Sequence, residues 1–220
     1  MKTKTICCAL IGAASLLTAP NLFATIYTGT ITLNYDYGNA NNGGAYTAVT
    51  SSLGTFDTFC LNSGVPFTPG ATYNFQSSDS AMPGGPGNVI TPDPISIGTA
   101  FLFSQFSHNA AGYFGTAQIA NDLQAAFWWL EGEALGVRNN FIDLAEAALG
   151  LNDTTIKGDA NGAYGVVALN LWDSNGSSTA PNKQPMLGIV PEPSTVIAGA
   201  LLLLPFGVST VRILRKNKTA

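Results

Sequence analysis

Cysteine, histidine and charged side chains are all scarce in this chain of 220 residues. It has 3 cysteines, 1 histidine and only 10% charged residues. Basic residues are the scarcest between residues 25 and 189, where twelve acidic side chains stand against three basic ones, Arg138, Lys157 and Lys183, a net charge of about −9. Because so acidic a body is repelled by phosphate backbones, we exclude nucleic acid as a partner.

The first 24 residues have the layout of a secretory signal peptide. Lys2 and Lys4 precede an apolar run over residues 6–17, and small residues lead to Ala24. A short apolar helix engages the export machinery and small side chains fit the peptidase, so we predict cleavage after Ala24. The first two of the three cysteines would leave with this peptide.

Residues 190–220 combine a Pro-Glu-Pro turn, an apolar run and a basic end. Pro191, Glu192 and Pro193 precede an uncharged run over 194–211, which approaches the ~20 residues that a membrane-spanning helix needs. Basic residues after this run hold its end on the cytoplasmic face, so we expect the body of the protein to face outward. These basic residues are Arg212, Arg215, Lys216 and Lys218.

This tail resembles the PEP-CTERM sorting signal of exported bacterial proteins that exosortase processes. The resemblance rests on V-P-E-P-S-T, the apolar span and the basic finish, in that order. It implies the export machinery and exosortase as partners, and release or transfer of the body to the cell surface or to the extracellular matrix of a biofilm. A permanent single-pass membrane anchor is the alternative.

The body, residues 25–189, is predicted to be an α+β domain: an antiparallel β-sandwich or barrel-like sheet with a helical insertion at about 97–150. Segments rich in Thr, Tyr, Ile and Val, with partial alternation and Gly/Pro/Asn turns between them, predict the strands. These segments are 25–38, 45–62, 71–76 and 163–173. The Gly/Pro-rich segment 78–94 is predicted to be a surface loop.

Three helices are predicted in the insertion from capping residues and apolar spacing. Their expected limits are 97–106; Thr116 or Asn121 to about Leu135, with Gly136 as the stop; and Asn140 to Gly150.

Cys60 is the one cysteine left in the body once the signal peptide is removed. An unpaired thiol outside the cytoplasm faces oxidation without an internal disulfide partner. Composition alone favours a buried thiol that acts as a small hydrophobic side chain at the end of a strand.

Two short blocks resemble the motifs of Cys-Gln thioester domains of bacterial surface proteins. F-C-L at 59–61 matches the Cys block, and Q-A-A-F-W at 124–128 matches Gln-x-Ala-apolar-Trp. The resemblance implies that the Cys60 Sγ attacks the Gln124 carboxamide, expels ammonia and leaves a thioester. Two positions depart from the family: Leu123 stands where Thr is usual, and the residue at 127 is more often Ile or Val.

Helical spacing puts the Gln124 amide on a stripe of apolar side chains, which can exclude water from an electrophile. Together with Phe59, the residues predicted to support the thioester from this stripe are Phe127, Trp128 and Glu131, and Leu135 faces the same way. Glu131 has two interpretations, a solvated helix glutamate or a group that accepts a proton during the reaction. Ordinary core packing around a hydrogen-bonded, inert Gln124 is the alternative for the whole stripe.

Three functions stay open on these observations. The leading hypothesis is an exported surface or matrix protein whose thioester is attacked by a Lys amine or a sugar hydroxyl of a partner, leaving an amide or ester link. This single-use adhesion chemistry is not enzymatic and needs no cofactor. The second is a non-covalent matrix or carbohydrate-binding module with a free buried Cys. The third is a hydrolase in which Cys60 and His108 lie within hydrogen-bond reach.

No metal site is predicted. D-A-N-G at 159–162 and D-S-N-G at 173–176 resemble fragments of calcium loops, but neither supplies the full ligand set. Both segments are predicted to be turns.

Overall fold

The computed structural model describes residues 26–38, 43–82 and 92–190. The predicted signal peptide and the predicted sorting segment, including the apolar run 194–211, lie outside these residues. No helix in the described part of the chain is both long enough and apolar enough to cross a membrane. The elements are β1 (Thr28–Tyr35), β2 (Tyr46–Thr50), β3 (Thr55–Thr58), β4 (Thr72–Ser78), β5 (Ser80–Ala81), β6 (Asp93–Pro94), α1 (Ile97–Ser107), α2 (Ala117–Leu130), α3 (Asn140–Leu149), two 3-10 turns (Thr155–Lys157 and Ala163–Gly165), β7 (Val166–Trp172) and β8 (Lys183–Ile189).

Six of these strands form one antiparallel sheet in the order β3-β2-β1-β4-β7-β8. The chain that leaves β3 pairs with β8, so that Cys60 lies opposite Met186. The N–H of Leu61 donates to the carbonyl of Pro185 at 2.9 Å beside this pair. The sheet therefore curls into a half-barrel. Its edge strands, β3 and β8, meet at one place, the segment that carries Cys60.

Alternation along the strands sends side chains to two buried layers. Val167, Leu169 and Leu171 of β7 join an inner cluster to which all the other strands of the sheet except β3 contribute a buried side chain. Val166 and Ala168 of the same strand join an outer cluster with residues of the helices. β7 is buried on both faces because it lies within the sheet and beneath the helices.

The three helices follow β6 in the chain and pack on the outer face of the sheet. The fully buried ring of Phe59 lies in the outer cluster, at the sheet junction. It contacts three helix rings at centroid distances between 4.8 and 6.5 Å, those of Phe103, Phe106 and Phe127. Because each buried ring removes about 150–250 Å² from water, this aromatic group is a main source of the attraction between helices and sheet.

The α+β class, the antiparallel sheet and the three helices are confirmed. Of the two predicted arrangements, the described strands form the barrel-like one, a single curled main sheet, and not the two facing sheets of a sandwich. The segment 78–94 contains the paired strands β5 and β6 at its two ends, with residues 83–91 outside the described part.

The predicted end of the second helix is wrong. α2 starts after Thr116, one of the two expected caps, but it stops at Leu130. Gly132, at φ 75°, turns the chain there in place of Gly136. Leu135 consequently lies beyond the helix and is 51% exposed, so it does not share the stripe of Gln124.

Gly136 has a packing role instead. A Cβ at this position would lie 2.3 Å from the backbone nitrogen of Trp129, so the returning chain can approach α2 only as glycine. The third helix starts from Asn139, whose side chain accepts from the Phe141 N–H at 3.1 Å, and it ends at Gly150 as predicted.

β8 was not predicted, because Pro185 breaks its strand pattern and proline cannot donate to a ladder. The pairing between β7 and β8 shifts register between Leu169 and Leu171, which is a place where a strand tolerates proline.

Phe59→Ala is expected to lower the free energy of unfolding by about 3–5 kcal/mol, because it leaves a cavity among three rings. Phe114→Ala is the control, since that ring is 42% exposed and should contribute much less. Urea denaturation of both variants measures the difference, and equal losses would contradict this account of the core.

Candidate functional site

The carboxamide of Gln124 lies on the backbone of Cys60, at the junction of the sheet. Its Oε1 accepts a hydrogen bond from the Cys60 N–H at 3.0 Å, and its Nε2 donates to the Cys60 carbonyl at 2.8 Å. Gln124 is fully buried and Cys60 is 5% exposed. The structure therefore brings together the two residues that the sequence motifs predicted as thioester partners.

Local structure explains how both residues reach this point. Strand alternation past β3 turns Phe59 and Leu61 toward the helices and Cys60 toward the inner cluster. Gln124 reaches Cys60 from α2, and Trp128, one helical turn later, packs in the same inner cluster as Cys60. Two successive turns of one helix face therefore meet the cysteine segment.

Gly43 covers the Gln124 side chain from the other side. A Cβ at this glycine would lie 2.3 Å from Cγ of Gln124 and 2.8 Å from its carboxamide carbon. The glycine also has a φ of 81°, which disfavours any residue with a side chain. The amide is thus held between a glycine backbone and the backbone of Cys60.

Burial raises the pKa of the Cys60 thiol to about 12. At neutral pH this sulfur is consequently a thiol and not a free thiolate, which makes it unreactive toward ordinary electrophiles from solution. A reaction at Cys60 therefore depends on an electrophile held next to it. The carbonyl of Gln124 is such a group, and the hydrogen bond from the Cys60 N–H polarises it.

A groove of about 270 Å³ borders the pair, and Cys60 forms part of its lining. None of its described lining residues carries a charge. Aromatic rings and amides provide much of the wall: Tyr35, Tyr46, Phe67, Trp128, Asn62 and Gln184. A partner group can therefore approach Cys60 along an uncharged surface.

Glu131 has other partners than the sequence suggested. Its carboxylate accepts from the backbone N–H and the hydroxyl of Ser96 at 3.2 and 2.8 Å, and from the hydroxyl of Thr99. These donors are the N-cap residue and a first-turn residue of α1, so the hydrogen bonds of Glu131 connect the end of α2 to the start of α1. Burial raises the pKa of Glu131 to about 7, against the hydrogen bonds from Thr99 and Ser96, which lower it.

The structure does not bring His108 to Cys60. The Nδ1 of His108 lies 2.7 Å from the carbonyl oxygen of Ser104, at the end of α1. His108 lines a separate cavity of about 480 Å³ together with Asp57 and Phe114. The cysteine hydrolase hypothesis therefore has no support from the geometry.

The two Asp-x-Asn-Gly segments are turns, as predicted. The Oδ1 of Asp159 accepts from the Asn161 N–H at 2.7 Å, and the Gly176 N–H donates to the Asp173 carbonyl at 2.8 Å. Within residues 26–38, 43–82 and 92–190, no group of three or more His, Cys, Asp or Glu side chains is placed to hold a metal ion.

Comparison with known proteins finds no relative of this chain. No protein-family model matches the chain, and neither the curated proteins nor the solved structures include a match. The resemblances to the sorting signal and to thioester domains consequently stay predictions.

Sequence reasoning missed several residues of the site. Gly43 belonged to a turn-like run of Asn and Gly, which gave no sign that it would cover Gln124. The groove residues Asn62 and Gln184 are 122 positions apart, and the Gln184 side chain donates to the Asn62 carbonyl at 2.7 Å. Only the closure of the sheet brings such distant positions together.

Gly43→Ala should destabilise the protein more than Gly54→Ala, by about 1–3 kcal/mol, because an added methyl meets the buried Gln124. Gly54 is a matched control, since its φ of 79° is nearly that of Gly43 but a Cβ there would meet nothing within 4 Å. Thermal or urea unfolding compares the two, and a Gly54→Ala loss as large as that of Gly43→Ala would refute the contact.

Glu131→Gln should change how stability depends on pH. Because the folded pKa of Glu131 is raised from 4.5 to about 7, its contribution to stability is full below about pH 4.5 and is lost as pH rises through about 7. The neutral amide removes this dependence, so the variant should gain stability relative to the wild type over that interval. Urea denaturation between pH 4 and pH 8 measures the difference. A pH-independent difference would contradict the assignment.

Proposed function

We propose that this chain is an exported cell-surface or extracellular-matrix protein whose body forms an internal thioester between Cys60 and Gln124. The observation that carries the proposal is the pair of hydrogen bonds between the Gln124 carboxamide and the Cys60 backbone, at 3.0 and 2.8 Å. They hold the amide carbonyl next to the one residue of the body that has a thiol. The same contact occurs between the two blocks that resemble thioester domains.

The bond-forming step uses only these two side chains. The Cys60 Sγ attacks the Cδ of Gln124, and the carbonyl electron pair moves onto Oε1, which already accepts from the Cys60 N–H. Collapse of this tetrahedral intermediate breaks the bond from Cδ to Nε2. The leaving nitrogen takes the thiol proton and departs as ammonia, so the products are a thioester and one ammonia.

Attachment to a partner would follow along the uncharged groove. A Lys amine or a sugar hydroxyl of the partner attacks the Gln124 carbonyl carbon, Cys60 leaves as a thiol with the proton of the nucleophile, and an amide or ester link remains. The reaction occurs once per molecule, so the protein is not an enzyme. Burial of both residues protects the thioester from water until a partner enters.

Location outside the cytoplasm is proposed from the two ends of the chain. The signal-peptide layout over residues 1–24 and the PEP-CTERM-like tail over 190–220 both support export, with exosortase as the processing partner. Pro191, Glu192 and Pro193 lie outside the described residues, so this part of the proposal depends on the sequence alone.

A second candidate, a non-covalent carbohydrate-binding module, is favoured by a different observation. Tyr35 is 58% exposed at the border of the groove, and the half-buried amide of Asn62 lies along the same wall. Aromatic faces beside amide groups suit sugar rings. In this case the two hydrogen bonds of Gln124 only position α2, and Cys60 remains a free thiol.

The intact mass of the purified chain tests the thioester directly. A mass lower by one ammonia, and an adduct after treatment with methylamine, are expected for the wild type. Cys60→Ala and Gln124→Ala should each have full mass and give no adduct. Gln184→Ala is the matched control, because Gln184 is another buried glutamine on the same groove and its loss should leave the thioester intact. A wild-type chain of full mass with a free Cys60 thiol would refute the proposal.

A further inference from the structure

Trp128 carries a buried polar group that has no partner among the described residues. The side chain is 95% buried, with 5% exposed, in the inner cluster that also contains Cys60. Its Nε1 is buried and makes no hydrogen bond within the described part of the chain. A buried donor left unpaired is destabilising, and a phenylalanine at this position would avoid that cost.

The position of Trp128 relates this donor to the thioester pair. Gln124 and Trp128 are four residues apart in α2 and therefore share one helix face. Both meet the Cys60 segment, Gln124 through its two hydrogen bonds and Trp128 through the inner cluster, and Trp128 lines the groove with Cys60. Phe127, by contrast, packs in the outer cluster.

The proposed reaction creates a group that needs such a donor. When the sulfur attacks, negative charge develops on the Oε1 of Gln124, and hydrogen-bond donors aimed at such an oxygen stabilise the transition state. One donor, the Cys60 N–H, is already in place at 3.0 Å. The side chains of Cys60 and Trp128 both lie in the inner cluster, so the indole is on the side of Gln124 from which the sulfur attacks.

We propose that the Nε1–H of Trp128 is the second donor to the Gln124 oxygen, during both thioester formation and attack on the thioester. Trp128 is in this role a catalytic residue of a single-turnover reaction, in addition to its packing. The inference rests on the proposed thioester and assigns a chemical function to an otherwise unsatisfied donor. It also gives a reason for tryptophan at this position in place of another large apolar residue.

Trp128→Phe tests the inference, because it removes the N–H and keeps an aromatic ring. The full chain is first treated with ammonia, which opens the thioester and restores the Gln124 amide and the Cys60 thiol. After the ammonia is removed under reducing conditions, the rate at which the chain loses ammonia again is followed by intact mass. Formation should slow on the order of 10²-fold, the usual effect of removing one oxyanion donor. The rate at which methylamine opens the preformed thioester should fall as well, since the same oxygen carries the charge.

Trp129→Phe is the matched control. Trp129 is the adjacent tryptophan, but its ring faces Lys157, whose Nζ lies 3.7 Å from the ring centroid, and not the inner cluster. Both rates should stay at the wild-type value in this variant. The melting temperature of each variant is measured in parallel, because a packing defect would lower it while the loss of a donor changes the two rates.

If Trp128→Phe does not fold, benzothienylalanine at position 128 replaces it, since this analogue keeps the bicyclic shape and lacks the N–H. Rates equal to the wild type in either form would overturn the role of Trp128 and leave the thioester proposal standing. A wild-type chain that keeps full mass would overturn both. Slower formation and slower opening at an unchanged melting temperature would support the inference.

Discussion

The two hydrogen bonds between the Gln124 carboxamide and the Cys60 backbone connect helix α2 to the junction of the sheet and to the inner cluster. Cys60 joins the edges of the curled sheet through its pairing with Met186, and its side chain belongs to the inner cluster. Gln124 comes from α2, which packs on the outer layer. Because a buried carboxamide must satisfy its donors and acceptor, α2 is fixed relative to the sheet junction.

The same contact has a structural and a chemical meaning. As a structural device it satisfies a buried amide and holds a helix in place, at a net gain of roughly 0.5–1.5 kcal/mol for each hydrogen bond. As a chemical arrangement it sets a polarised carbonyl beside a thiol that burial keeps protonated. A leucine would pack at position 124 without any need for partners, so the choice of glutamine is what makes the chemical interpretation worth testing.

The fold and the site differ in how far the sequence predicts them. Helix ends that depend on local chemistry, such as Thr116 and Gly150, are predictable because the capping residue is next to the helix it caps. The early end of α2 is not, because Gly132 and Gly136 are equally good local stops and only tertiary packing selects between them. Cys60 and Gln124 were found because each lies in a short motif.

Long-range placement explains the remaining errors. Glu131 was assigned to the face of Gln124 from helical spacing, but its partners Ser96 and Thr99 lie at the start of α1, and no periodicity within α2 contains that information. The strand β8 was not predicted because it contains Pro185, although this strand is needed to close the sheet. A bulge that accommodates a proline is a property of the pairing with β7, which a single segment does not reveal.

The position of β8 as the last described strand has a mechanical consequence. A pull on the C-terminal end of the chain enters the domain through β8, which is bonded to β7 on one side and to the segment around Cys60 on the other. Ladder bonds in antiparallel strands run roughly perpendicular to the strand axis, so tension along β8 loads the bonds on both sides in shear, many at once. A body tethered by its tail would resist such force best at the strand that borders Cys60.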